Sequence, residues 1–98
     1  MSTFQQDLQA LRAQIDDVDH ELLQSLKRRA EISTAIGRLK LENGRGIVDA
    51  AREDEMVAAR ASAGCSLGLP EDWTSDLFKT VLKGCVAISH ERLGAVAE

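Results

Sequence analysis

Apolar side chains recur along the first third of the chain in alternating steps of three and four. From Leu8 the series runs Leu11, Ile15, Val18, Leu22, Ser25, Arg29, Ile32, Ile36 and Leu39. That spacing is one stripe of an α-helix, so a single sustained helix is expected over about residues 5–43. The stretch holds no proline, and Gly37 only weakens it. "ENGRG", residues 42–46, stops it, because Asn43-Gly44 and Gly46 favour left-handed or turn conformations. Asp49 can then cap a second helix running from Ala50 to about Ser62 and ending at Gly64. "GCSLGLPEDW" reads as a loop, with Pro70 suited to the first position of a third helix over about 70–93. Glu71 and Asp72 favour that helix start, and Trp73, Leu77, Phe78, Val81, Leu82, Cys85 and Ile88 supply its apolar positions. No repeat and no strand-like alternation interrupts the pattern. The expected fold is all-α, three helices with a very long first one, in a single domain over residues 1–98.

The length of the first helix has a consequence for assembly. About 38 residues at ~1.5 Å each make a rod of ~57 Å. A compact monomer of this size has a radius of gyration near ~13 Å, so the rod overshoots its own domain. A second copy of the chain is the economical cover, and a twofold homodimer with the long helices against each other is expected.

Composition narrows the partners. The formal net charge is −4, which argues against nucleic acid, since that binding needs a basic face. No apolar run reaches the ~18 residues of a membrane span, so no membrane partner is expected. The beginning, "MSTFQQDLQALR", lacks the regions of a signal peptide, and a cytoplasmic location is the expectation. Cys65 and Cys85 form no metal spacing and read as reduced thiols. His20 reads as a solvated surface residue, and Trp73 and Phe78 as packing.

Arg29 is the misfit, a permanent cation on the apolar stripe. Lys40 lies eleven residues further on, within ~20° of the same direction and ~16 Å along the axis, so the two side chains can lean toward one small anion. Arg12 is ~25 Å before Arg29, out of reach in its own chain but not from an antiparallel partner. Arg52 stands in the first turn of the second helix, where the dipole disfavours a cation. Asp16, Asp19, Glu31, Glu53 or Glu55 can neutralise any one of these internally. Three or four cations converging from separate segments instead suit an anion with two carboxylates, each held by a charged fork.

The residues "LRAQIDDVDHELLQSLKRRAEISTAIGRLK", followed by "GIVDAAREDEM", closely resemble the AroQ class of all-helical chorismate mutases. The pattern is L-R-x-x-I-D-x-x-D-x-x-L-L, then R, I-G-x-x-K and D-x-x-R-E, specific as a set and strongest over residues 8–57. The resemblance implies an intertwined homodimer with two sites, each built from both chains. It implies that Arg12 of one chain and Arg29 of the other bind the substrate carboxylates. Lys40 would contact a carboxylate and the ether oxygen, Asp49 and Arg52 would shape the wall, and Glu53 would receive the ring hydroxyl. Counting on from Phe78 puts Cys85 where the family has a small polar residue, and Ser89 where it has glutamine or glutamate. Those are departures. Serine is too short for the ether oxygen, and His90 and Glu91 are turned away on a regular helix. Either a frayed or shifted helix end brings one of them in, or a water bridges Ser89 to the substrate.

The implied reaction is a Claisen rearrangement of chorismate to prephenate, with no metal and no cofactor. Isochorismate pyruvate lyase and 4-amino-4-deoxychorismate mutase are alternatives that use the same cations. "DAARE" favours chorismate, because Glu53 offers the ring hydroxyl an acceptor. A third alternative is a weak mutase activated by an enzyme partner of the shikimate pathway, and a fourth is a helical dimerisation domain without catalysis. "KRRAEIS" and "RLG" resemble the partner-activated type, which lacks an aspartate where this chain has Asp49.

Overall fold

The computed structural model describes residues 3–94. Three helices follow in order, α1 (Phe4–Glu42), α2 (Ala50–Ser66) and α3 (Glu71–Leu93). Thr3 starts α1 with a reciprocal cap: its hydroxyl accepts from Gln6 N at 3.1 Å, while its own N–H donates to Gln6 Oε1 at 2.9 Å. Asn43 closes the helix, and Gly44 takes φ 67° just beyond it. Asp49 caps α2 by accepting from Arg52 N at 3.1 Å.

Helix α2 runs past the expected stop at Gly64 and ends at Ser66, with Gly68 at φ 86° making the turn. Gly64 has a different task. A Cβ there would come within 2.9 Å of Thr74 Cγ2 and Oγ1, so its bareness is what lets α2 and α3 cross closely. Pro70 is the N-cap of α3 and not its first turn, and its carbonyl accepts from Thr74 N and Thr74 Oγ1 at 3.0 and 2.9 Å.

Contacts between the helices fix their directions. Arg29 meets Cys85, Thr34 meets Ser89, and Gly37 faces Leu93, so α3 runs parallel to the second half of α1. Helix α2 returns along the other side of α3 and packs against it, leaving α3 in the middle. The buried positions of α1 are Ala30, Thr34 and Gly37, three small residues on one face. This differs from the stripe that periodicity marks out. Leu11, Ile15, Val18, Leu22, Ile32, Ile36 and Leu39 are all exposed in the protomer. The strongly apolar stripe and the face that α3 covers are neighbours, not the same surface.

From Gln9 to Ser25 every residue of α1 is exposed, so this half of the helix projects beyond α2 and α3. The molecule measures 64 × 27 × 15 Å, with a radius of gyration of 17.8 Å. A compact chain of this length would have a radius near ~13 Å. Among the described residues no helix is long and apolar enough to cross a membrane.

Two glycine substitutions should move stability in opposite directions. Gly64→Ala should lower the urea midpoint, at a cost of about 1–3 kcal/mol, by forcing Thr74 away. Gly84→Ala meets nothing within 4 Å and should raise it by about 1 kcal/mol through helix propensity. Equal midpoints for the two variants would remove the close-crossing explanation.

Candidate active site

A cleft of ≈ 450 Å³ opens where the second half of α1, the start of α2 and the middle of α3 converge. Arg29, Lys40, Asp49, Arg52, Glu53 and Cys85 all line it. Ile32, Ser33, Ile36, Ile47, Leu82 and Val86 make the rest of the wall largely apolar. Of the eight residues expected from the sequence, six are therefore brought together in one protomer.

Each of the six is placed by its local structure. Arg29 is half-buried, with Nη1 donating to Cys85 Sγ at 3.2 Å and Nη2 to Met56 Sδ at 3.4 Å. Lys40, in the last turn of α1, donates from Nζ to the Ile47 carbonyl at 3.2 Å, so the connecting loop holds its head at the rim. Asp49 spends its carboxylate on the α2 cap, which orients Arg52 and Glu53 in the first turn. Cys85 is a buried free thiol on α3.

The other two stand elsewhere. Ser89 is 0% exposed, and its hydroxyl lies 3.3 Å from Thr34 Oγ1, so it joins α3 to α1 and does not line the cleft. Arg12 is exposed on the projecting half of α1. Met56 is the residue that periodicity passed over. It sits four positions after Arg52, on the same helical face, and that spacing was the available signal.

Charge distinguishes this cleft from its neighbour. Among the described residues, one ion pair is present, Lys27 with Glu31 at 4.0 Å. Among the described residues, neither Arg29, Lys40 nor Arg52 has a carboxylate within that distance, so Asp16, Asp19, Glu31, Glu53 and Glu55 do not neutralise them internally. A larger hollow of ≈ 740 Å³ between α2 and α3 sets Glu53, Asp54, Glu71 and Asp72 against Lys79 and Lys83. It is net acidic and would repel a dianion. The smaller cleft sets Arg29, Lys40 and Arg52 against Asp49 and Glu53, so its balance is positive and it attracts one.

Fold and cleft together define an all-helical protein with a positively charged cleft where its three helices converge. The model of the chorismate mutase type II family matches residues 11–90, and the chain belongs to that family. It is similar to the T-protein of Enterobacter agglomerans, 38% identical over 79% of this chain and 21% of that protein. It is also similar to a 4-amino-4-deoxychorismate mutase of Streptomyces venezuelae, 29% identical over 82% of this chain and 78% of the relative. The intracellular chorismate mutase of Mycobacterium tuberculosis is 34% identical over 59% of this chain and 55% of its own length. The chain spans about a fifth to a quarter of the T-proteins it matches. No solved structure matches it.

Arg29 is a half-buried cation without a carboxylate partner, a costly arrangement for the fold alone. Arg29→Leu should therefore hold or raise the urea midpoint while abolishing binding of a small dicarboxylate by titration calorimetry. A clear fall in the midpoint would mean that the charge serves packing.

Proposed function

We propose that the protein is a chorismate mutase that rearranges chorismate to prephenate. The observation that carries this reading is the set of Arg29, Lys40 and Arg52, unpaired with carboxylates, around one cleft that also holds Glu53. Chorismate is a flexible dianion. In the reaction its ether C–O bond breaks as a C–C bond forms, with no proton transferred and no covalent enzyme intermediate. Two tasks are left to the protein.

The first is to hold the compact conformer in which the reacting carbons approach. Arg29 binds one carboxylate, with Arg52 shaping the α2 wall. Glu53 accepts from the ring hydroxyl. Ile32, Ile36, Leu82 and Val86 exclude water and leave little room for the extended conformer. The second task is to stabilise charge growing on the ether oxygen. Lys40 takes it, since its ammonium is already aimed by the Ile47 carbonyl. Ser89 faces Thr34 here, so Lys40 carries more of this task than the family pattern would assign to it.

The working unit in this reading is a homodimer of single chorismate mutase-like domains. The exposed stripe from Leu11 to Leu22 supports it, because an apolar face of that length marks an interaction surface. An antiparallel partner would lay its Arg12 over the cleft to meet the second carboxylate. The site is then cytoplasmic in setting and free of cofactors.

A second reading has one observation in its favour. The relative named 4-amino-4-deoxychorismate mutase is matched over 78% of its own length, unlike the T-proteins, of which the match covers a fifth to a quarter. NMR identification of the products separates the readings: prephenate formed from chorismate supports the mutase, whereas salicylate with pyruvate formed from isochorismate indicates a lyase. Turnover of the amino analogue alone would favour the second reading, and activity that appears only with a second enzyme would indicate partner activation.

Lys40→Ala should lower kcat by ~10²-fold or more, the scale of one preorganised donor. Near-normal turnover by that variant would refute its role. Arg12→Ala and Arg29→Ala should each be inactive alone. Mixed and allowed to exchange subunits, they should regain activity through one intact site per heterodimer; no recovery would overturn the shared site.

A further inference from the structure

Arg29 is held by sulfur. Its two terminal nitrogens reach Cys85 Sγ on α3 and Met56 Sδ on α2, at 3.2 and 3.4 Å. Among the described residues, the Met56 bond is the one side-chain hydrogen bond that links α1 to α2. Met56 is half-buried and lines the cleft beside Arg52 and Glu53.

The choice of acceptor has an electrostatic meaning. A carboxylate in place of either sulfur would aim the guanidinium at least as firmly, but would also neutralise it. An incoming anion would then compete with a resident one. A thioether is a weak, uncharged acceptor. It can set the direction of the fork and leave the positive charge for the ligand.

We infer that Met56 is a positioning residue for anion binding: its sulfur directs the Arg29 guanidinium into the cleft without compensating its charge. The inference rests on reading the cleft as a chorismate site and adds a residue to it. Met56 touches the cation that touches the substrate, and so acts on affinity more than on the chemical step.

Three variants test it. Met56→Leu keeps an apolar side chain of similar volume and removes the acceptor. Met56→Gln keeps the length and supplies a neutral amide oxygen. Met56→Glu supplies a charged one. For the positioning role, Met56→Leu should raise KM for chorismate roughly 3- to 10-fold, the scale of one net hydrogen bond, with kcat changing less. Met56→Gln should recover most of that loss, and Met56→Glu should give the highest KM of the three.

A packing role ranks them differently. Met56→Leu would match the wild type, and the polar Met56→Gln would be the worse of the two, with a lowered urea midpoint. Either a wild-type KM for Met56→Leu or a KM for Met56→Gln no better than that of Met56→Leu overturns the inference. The same ranking is to be read from titration with succinate, a plain dicarboxylate. If the wild type binds succinate but converts no chorismate, the mutase reading fails, and the order of the three succinate affinities still decides the role of Met56.

Discussion

Close approach of α1 and α3 is the constraint from which the rest of the molecule follows. Ala30, Thr34 and Gly37 present almost no side-chain bulk on that face, and a Cβ on Gly37 would lie 3.1 Å from Leu93 Cδ1. Polar atoms brought into this dry contact are satisfied in place: Thr34 donates to the Ala30 carbonyl at 2.9 Å and meets Ser89 at 3.3 Å. One turn away from Ser89, the same approach presses Cys85 against Arg29. With α3 parallel to α1, α2 has to return antiparallel, and its capped start falls beside the end of α1. The cleft is the space left by this crossing.

Much of this was legible in the chain. Three helices, the rod-like first one and the Asp49 cap follow from periodicity and from turn and capping residues whose physics is local. Gly64 misled because glycine has two uses. Its φ freedom stops helices and its missing Cβ lets them cross, and only the position of Thr74, ten residues away in sequence, tells which use applies. The apolar stripe marks a different surface from the contact within the protomer. Periodicity finds the greasiest face of a helix, whereas α3 packs on the smallest one. Arg29, Lys40, Asp49, Arg52, Glu53 and Cys85 line one cleft, but a linear sequence gives no sign that Ser89 turns to Thr34. Met56 was hidden because methionine at an apolar helical position looks like packing until its sulfur is seen against a guanidinium.

The electrostatics of the cleft run against those of the whole chain. A protein of net charge −4 keeps three cations around one hollow and holds two of them with uncharged acceptors, sulfurs for Arg29 and a backbone carbonyl for Lys40. Acceptors of this kind fix geometry without cancelling charge. Such an arrangement is unfavourable for an empty fold and favourable for one that receives an anion, which is the usual direction of compromise at binding sites. The larger hollow next door has the opposite balance, with Glu53, Asp54, Glu71 and Asp72 against Lys79 and Lys83.

The bare first half of α1 carries one more implication. About 17 residues of helix without tertiary cover form a rod of ~26 Å whose backbone is marginally stable in water by itself. Proteases cut where helix opens to strand-like chain, so scission between Gln9 and Ser25 would be fast on a solitary protomer and slow once another surface lies along it. Susceptibility to trimming would thus track the state of assembly, and a scarce, unassembled chain would be cleared from its exposed end.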